Sequence, residues 1–103
     1  MAITMLTEDD FEKVVLGSDI PVLLSFGTKW CKPCIKLEPI LQEIAVENEG
    51  KFLICKVDAE KNPKLTNAYK VVSVPHTISF KNGKMHKSAV TLLSKVELLE
   101  LLD

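Results

Sequence analysis

Cys31 and Cys34 are the two residues of this sequence with the clearest chemical potential, and they lie in the run Trp30-Cys31-Lys32-Pro33-Cys34. Thiols at this spacing can close into a small disulfide ring, and the pair can pass two electrons by thiol–disulfide exchange. A CxxC pair within an α/β pattern is typical of a redox motif, whereas other contexts favour metal binding. The spacing therefore predicts either a redox dithiol or part of a metal site.

Two predicted elements position this dithiol. The continuous apolar run at residues 22–26 indicates a strand that is buried on both faces. After Cys34, apolar residues recur at three- and four-residue steps and predict a helix that ends near residues 48–50. Pro39 lies inside this helix and predicts a kink. The first cysteine would thus lie at the N-terminus of the helix, with the second cysteine one turn further on.

The first half of the chain contains further strand and helix signals. Residues 3–6 are expected to form a short strand, followed by a helix whose N-terminus Thr7 caps with its hydroxyl. Residues 52–57 form a second strand-like run. Asn62 followed by Pro63 predicts another helix, with the asparagine as cap and the proline in the first turn.

The last part of the chain changes character. Asn82-Gly83 lies between two strand-like runs and predicts a β-hairpin. Ser94 and Glu97 form a capping box at the start of an apolar closing helix. The order βαβαβαββα predicts an α/β fold, with one five-stranded mixed sheet flanked by four helices, in a single domain over residues 1–103.

Composition excludes several classes of function. The chain has 103 residues, 47% hydrophobic and 26% charged, with a net charge of −1, so no global charge favours nucleic acid or an anionic membrane. Residues 1–10 lack the features of a signal peptide, and no run approaches the roughly 20 apolar residues of a membrane span. Three cysteines do not make a disulfide scaffold, and Cys55 is expected in the core. These features predict a cytoplasmic protein, and we expect it to be a monomer.

The chain resembles the thioredoxin family nearly from end to end. The matching positions are WCKPC, Phe26, Pro39, Val57-Asp58, Val74-Pro75, Phe80-Lys81-Asn82-Gly83 and Leu93-Ser94-Lys95. The resemblance implies a thioredoxin fold, protein-disulfide reductase activity and a general part in cell redox homeostasis. It also implies disulfide-containing protein substrates, thioredoxin reductase as electron donor, and a cis peptide bond before Pro75, against the dithiol.

The resemblance and helix electrostatics together suggest roles for the two cysteines. Free amides and the helix dipole favour a thiolate at Cys31, so this residue is expected to be the exposed nucleophile. Cys34, facing inward, is expected to resolve the mixed disulfide. Trp30 and Pro33 are expected to flank the pair. Lys32 stands where the family most often has glycine, and it either lowers the pKa of Cys31 or is a solvated side chain of little consequence.

Ser25 is the most informative departure from the family pattern. Thioredoxins usually carry a buried aspartate here, which helps to deprotonate the resolving cysteine, and serine cannot act as that base. By the same resemblance, Ile54 replaces the lysine that commonly pairs with the aspartate. The joint loss is reasonable because either charge left alone in the core would be costly. We therefore expect slower proton transfer at Cys34.

Four residues are expected to contact substrates by this resemblance: Trp30, Val74, Pro75 and Thr91. The backbone of Val74 could pair with an extended substrate strand. Thr91 replaces the usual glycine, and its bulk would narrow the docking surface. His76 either tunes the thiolate or is an exposed histidine without a role, and the second reading is favoured.

Three other readings remain open from the sequence. Zinc could be bound by Cys31, Cys34, His76 and a fourth group, but structural zinc sites usually need a second close ligand pair, which this chain lacks. The fold could instead serve as a docking module for a dedicated partner, with the dithiol incidental. A glutathione-using, glutaredoxin-like protein is disfavoured by Trp30. We expect no metal, cofactor, nucleic acid or membrane partner.

Overall fold

A five-stranded mixed sheet forms the centre of the computed structural model, which describes residues 3–103. Its strands are β1 (Ile3–Met5), β2 (Val22–Gly27), β3 (Leu53–Asp58), β4 (His76–Lys81) and β5 (Lys84–Ala89). They lie in the order β1-β3-β2-β4-β5, with β3 parallel to β1 and β2, and β4 antiparallel to β2 and β5. The predicted mixed sheet is confirmed. Met1 and Ala2, which open the stretch tested as a signal peptide, lie outside the described residues.

Four helical segments flank the sheet within residues 3–103, as predicted. The first is a π-helical segment (Glu12–Leu16), followed by α1 (Lys32–Glu47), α2 (Pro63–Ala68) and α3 (Lys95–Glu100). Pro39 lies inside α1, which continues through it; the kink stays a prediction. Within the same residues, no helix combines the length and apolar character needed to cross a membrane.

The first helix is shorter than the sequence predicted. Thr7 does not cap it, because its hydroxyl donates a hydrogen bond to the carboxylate of Asp10 at 3.2 Å. Regular helical geometry starts only after this turn. The segment ends at Gly17, where a Cβ would lie 2.5 Å from the carbonyl oxygen of Lys13. Only glycine fits this close approach of two backbone segments.

The cap of α2 comes from a residue far away in the sequence. Asn62 does not cap the helix with its side chain, contrary to prediction. Its amide oxygen accepts from the N–H of Glu8 at 2.8 Å, and its amide nitrogen donates to the carbonyl of Asp58 at 2.9 Å. The Glu8 carboxylate instead accepts from the N–H groups of Lys64 and Leu65, at 2.9 and 3.2 Å. This contact fixes the start of α2 against the segment that follows β1.

The hairpin and the closing helix follow their local signals. Asn82 and Gly83 have φ values of 53° and 75°, the left-handed conformation that a tight hairpin turn requires. The Ser94 hydroxyl accepts from the N–H of Glu97 at 3.2 Å, and the Glu97 carboxylate accepts from the N–H of Ser94 at 2.9 Å. Both predictions are confirmed.

Each face of the sheet is covered by its own hydrophobic cluster. Every residue of β2 is buried, and the strand alternates between the two clusters. Val22, Leu24 and Phe26 pack with the first helix and α2, whereas Leu23 packs with α1 and α3. The strand that leads to the dithiol is thus held from both sides, as its continuous apolar run predicted.

Candidate active site

The dithiol lies at the junction between β2 and the N-terminus of α1. Cys31 is the N-cap residue of α1, and it forms a disulfide with Cys34, whose Cα lies 5.2 Å away. The Sγ of Cys31 accepts a hydrogen bond from the N–H of Cys34 at 3.2 Å. This amide belongs to the first turn, where helical N–H groups have no partner within the helix. The arrangement would stabilise negative charge on the Cys31 sulfur.

A cis peptide bond joins Val74 and Pro75, as the family resemblance implied. Pro75 is buried, and the carbonyl oxygen of Val74 lies 3.8 Å from the Sγ of Cys31. The loop that precedes β4 therefore approaches the dithiol directly. Residues that are 43 positions apart in the sequence meet at one sulfur atom.

A groove of about 690 Å³, here called the Cys31 groove, opens beside this sulfur. It is lined by Thr28, Trp30, Cys31, Lys32, Pro33, Ala59, Thr66, Val71, Val72, Ser73 and Val74. Trp30 is 68% exposed, and its indole N–H donates to the carboxylate of Glu60 at 3.0 Å, which fixes the ring at the rim. Val72 is 94% exposed. Thr91 is exposed in the segment between β5 and α3 and does not line this groove.

The exposures of the two cysteines are the reverse of those predicted. Cys31 is only 5% exposed, whereas Cys34 is partly exposed. Next to Cys34 lies Gly27, at the end of β2, where a Cβ would lie 3.2 Å from the Sγ of Cys34. Without that side chain, a second cavity of about 310 Å³ opens next to the sulfur. This Cys34 cleft is lined by Met5, Gly27, Thr28, Lys29, Cys34, Ile35, Glu38, Lys56, Val57 and Asp58.

The sheet register corrects the prediction about the charged partner of position 25. Ser25 is buried and lies opposite Lys56 on β3, whereas Ile54 lies opposite Leu23. A lysine is therefore present at the position that faces Ser25, and the prediction that isoleucine replaces it is wrong. The Nζ of Lys56 lies 3.1 Å from a carboxylate oxygen of Glu38 on α1. With no carboxylate at position 25, the lysine pairs with an acid from the helix.

The two histidines and the third cysteine have contrasting environments. His76 is 8% exposed, so the favoured reading of an exposed histidine is wrong. Its ring packs near Phe26, with centroids 6.3 Å apart, and burial lowers its pKa. Cys55 is fully buried, and burial raises the pKa of its thiol to about 12, which confirms its place in the core. His86 is exposed on β5.

Three residues near the dithiol were missed by sequence analysis: Gly27, Glu38 and Lys56. Glu38 lies four positions after Cys34 on α1, a spacing that places both side chains on one face of a helix and could have pointed to it. Lys56 is the one charged residue in the apolar run 52–57, which also distinguishes it. Across residues 3–103, no three His, Cys, Asp or Glu side chains gather closely enough to hold a metal ion.

Comparison with known proteins agrees with this geometry. A family model described as Thioredoxin matches residues 2–103. Thioredoxin of Rickettsia bellii (strain RML369-C) is 39% identical over 94 residues, which cover 91% of this chain and 90% of the relative. Thioredoxin 1 of Nostoc sp. (strain PCC 7120 / SAG 25.82 / UTEX 2576) is 35% identical over 102 residues, covering 99% of this chain and 95% of the relative.

Thioredoxin of Acidithiobacillus ferridurans is 38% identical over 102 residues, which cover 99% of this chain and 94% of the relative. The CxxC pair at a helix N-terminus, the five-stranded sheet and these matches agree on fold and chemistry. The chain belongs to the thioredoxin family and is a thiol–disulfide oxidoreductase of the kind that reduces protein disulfides.

Proposed function

We propose that Cys31 is the nucleophile and Cys34 the resolving thiol of this reductase. The observation that carries the proposal is the 3.2 Å hydrogen bond from the N–H of Cys34 to the Sγ of Cys31. An amide directed at the sulfur stabilises its thiolate, which is the reactive form of cysteine. The helix positions Cys34 one turn later, within bonding distance of the same sulfur.

The proposed reaction has two exchange steps. The Cys31 thiolate attacks one sulfur of the substrate disulfide and forms a mixed disulfide, and the other substrate sulfur leaves as a thiolate. Cys34 then loses its proton and attacks the Sγ of Cys31. The Cys31–Cys34 disulfide forms, and the second substrate thiolate is released. The substrate gains two electrons and, in total, two protons, while the dithiol is oxidised.

The Cys31 groove is the proposed docking surface for substrates. Its apolar walls and the exposed side chain of Val72 suit an extended segment around a cystine. We assign Trp30, Val74 and Pro75 to substrate contact, with Val74 offering its backbone for strand-like pairing. Lys32 at the rim would favour acidic segments. Thr91 does not line the groove and would contact only a substrate that extends outside it.

The proposed setting follows from the same chemistry. Disulfide-containing proteins are the substrates, and thioredoxin reductase is the electron donor that returns Cys31 and Cys34 to the dithiol form. The protein acts as a single domain and a monomer in the cytoplasm. A reducing compartment suits a chain whose third cysteine, Cys55, is a free buried thiol.

Reduction of insulin, with dithiothreitol as electron source, tests the proposal. The wild-type protein is expected to accelerate precipitation of the insulin B chain, and Cys31→Ser should lower the rate to that of dithiothreitol alone. Pre-reduced Cys34→Ser, mixed with a disulfide substrate without dithiothreitol, should accumulate a mixed disulfide on non-reducing gels. Cys55→Ala is the matched control and should keep wild-type activity, because Cys55 is fully buried in an apolar cluster and its thiol does not line the groove.

Two results would contradict the assignment. Equal activity of wild type and Cys31→Ser would leave the fold as a docking module with an incidental dithiol. A trapped mixed disulfide in Cys31→Ser rather than in Cys34→Ser would exchange the roles of the two cysteines.

A further inference from the structure

We propose that Glu38 accepts the proton that Cys34 loses in the resolving step, through water in the Cys34 cleft, and that Lys56 positions the Glu38 carboxylate for this transfer. The inference rests on the proposed role of Cys34 as resolving thiol. It assigns the task of a base to a residue on α1, since Ser25 offers only a hydroxyl.

The placement of Glu38 supports the transfer. Cys34 and Glu38 are four residues apart on α1, so their side chains project from the same face, with Cβ atoms about 5–6 Å apart. Both line the Cys34 cleft. At about 310 Å³ the cleft has room for several water molecules, since one water needs only about 10–15 Å³ of such volume. Gly27 keeps this space open at the sulfur.

The other charged groups of the cleft are less suited to the task. Besides Glu38, the charged side chains that line it are Lys29, Lys56 and Asp58. The two lysines are cations and cannot accept a proton. The Asp58 carboxylate already accepts hydrogen bonds from the N–H groups of Glu60 and Lys61, at 2.9 and 3.3 Å, so it serves the turn after β3. Glu38 is the remaining acid.

Lys56 gives the transfer a favourable charge balance. Its ammonium lies 3.1 Å from the Glu38 carboxylate, and it projects from β3 at the position opposite Ser25. Before transfer, the cation faces the carboxylate. After transfer, Glu38 is neutral and the negative charge lies on Cys34, which lines the same cleft as Lys56, so the charge moves within the cleft and no charge is created. A nearby cation favours the thiolate form.

The complete step is balanced. The thiol proton of Cys34 passes through water to Glu38, and the Cys34 thiolate attacks the Sγ of Cys31. The bond between Cys31 and the substrate sulfur breaks, and the substrate leaves as a thiolate. Glu38 then returns its proton to solvent or to the leaving sulfur, so the protein needs no further reactant.

Stopped-flow absorbance with one equivalent of 5,5′-dithiobis(2-nitrobenzoate) separates the two steps. Attack by Cys31 releases the first thionitrobenzoate, and resolution by Cys34 releases the second. Glu38→Gln should slow the second phase by about tenfold or more near pH 6–7 and leave the first unchanged, because a positioned base commonly contributes about 10²–10⁴-fold and water replaces only part of that contribution. The deficit should shrink as pH rises, because hydroxide replaces the carboxylate. Glu38→Asp should recover part of the rate.

Glu43→Gln is the matched control. Glu43 also lies on α1, is about as exposed as Glu38 (55% against 53%), and is paired with Lys95 at 2.8 Å, away from the cleft. The proposal is overturned if Glu38→Gln and Glu43→Gln give the same second phase at every pH. A second phase that persists in Cys34→Ser would instead overturn the proposed role of Cys34, so the two failures are distinguishable.

Discussion

His76 follows the cis proline and lies in β4 opposite Phe26, close to the site but inside the sheet. It is 8% exposed, and its Nδ1 has no hydrogen-bond partner among residues 3–103. Burial disfavours the charged imidazolium, so the pKa of His76 is lowered from its ordinary value near 6.5. The unfolded chain has no such restriction. This residue therefore links stability to pH.

His76→Gln should flatten the dependence of the free energy of unfolding on pH between about pH 7 and pH 5. In the wild type, stability is complete above the unfolded pKa near 6.5 and falls as pH decreases below it, because only the unfolded chain takes up the proton. The loss is at most about 1.36 kcal/mol per pH unit, and it stops below the folded pKa. Urea unfolding at several pH values measures it.

His86→Gln is the control, because His86 is the other histidine of the chain and is exposed. It should retain the wild-type slope. Parallel pH profiles for wild type and His76→Gln would show that His76 does not carry the pH dependence.

At the scale of an element, the start of α2 is stabilised by a residue that lies far away in the sequence. Its first turn is capped by the Glu8 carboxylate, which accepts from the N–H groups of Lys64 and Leu65. The residues after α2 line part of the Cys31 groove. The cap therefore stabilises an element next to the docking surface.

Glu8→Ala should lower the free energy of unfolding by about 1 kcal/mol, the typical effect of losing a helix cap. Asp9→Ala is the matched control, because Asp9 is the exposed acidic neighbour of Glu8. Chemical denaturation of both variants at neutral pH measures the difference. Equal losses in the two variants would show that the contacts of Glu8 with α2 contribute nothing specific.

Structural features that depend on neighbouring residues were predicted correctly, whereas a helix cap that depends on a distant residue was not. Asn82-Gly83 and the Ser94–Glu97 pair depend on neighbours within four residues, and both were predicted correctly. The cap from Glu8 joins residues 56 positions apart, which no local pattern reveals. Asn62 was consequently predicted as a cap that it does not form.

The features of the candidate site also differ in whether the local sequence reveals them. The CxxC motif and the helix after it are local, so the dithiol could be placed from sequence. The pairing of Ser25 with Lys56 depends on the register between β2 and β3, and a strand's neighbour cannot be read from periodicity. The open space beside the Sγ of Cys34 depends on the absent side chain of Gly27, which is a packing effect. The spacing of Glu38 from Cys34 is local, but its ion pair with Lys56 depends on the packing of α1 against β3.

At the scale of the whole molecule, the dithiol is attached to a helix that is anchored in a core. After its first turn, α1 buries Leu37, Leu41 and Ile44 against the sheet. These residues share one hydrophobic cluster with α3. A second cluster covers the opposite face. The position of the two cysteines relative to β2 is therefore set by packing along the length of α1.

Leu41→Ala should lower the free energy of unfolding by about 2–5 kcal/mol, because it leaves a cavity in this core. Leu41 is 1% exposed, whereas Val46 on the same helix is 57% exposed. Val46→Ala is thus the control, with an expected change within about 0.5 kcal/mol. Denaturant titration of the reduced proteins compares them, and similar losses would mean that this face of α1 does not anchor the helix.

The two cavities beside the disulfide share only Thr28 among their lining residues in the described part of the chain. The sulfur of Cys31 thus lines one opening to solvent and the sulfur of Cys34 a separate one. A protein bound at the proposed docking surface, against Trp30 and Val72, would leave the opening at Cys34 uncovered. Protons would then be able to enter and leave while the substrate is bound, so that the exchange of electrons would not have to wait for the substrate to dissociate.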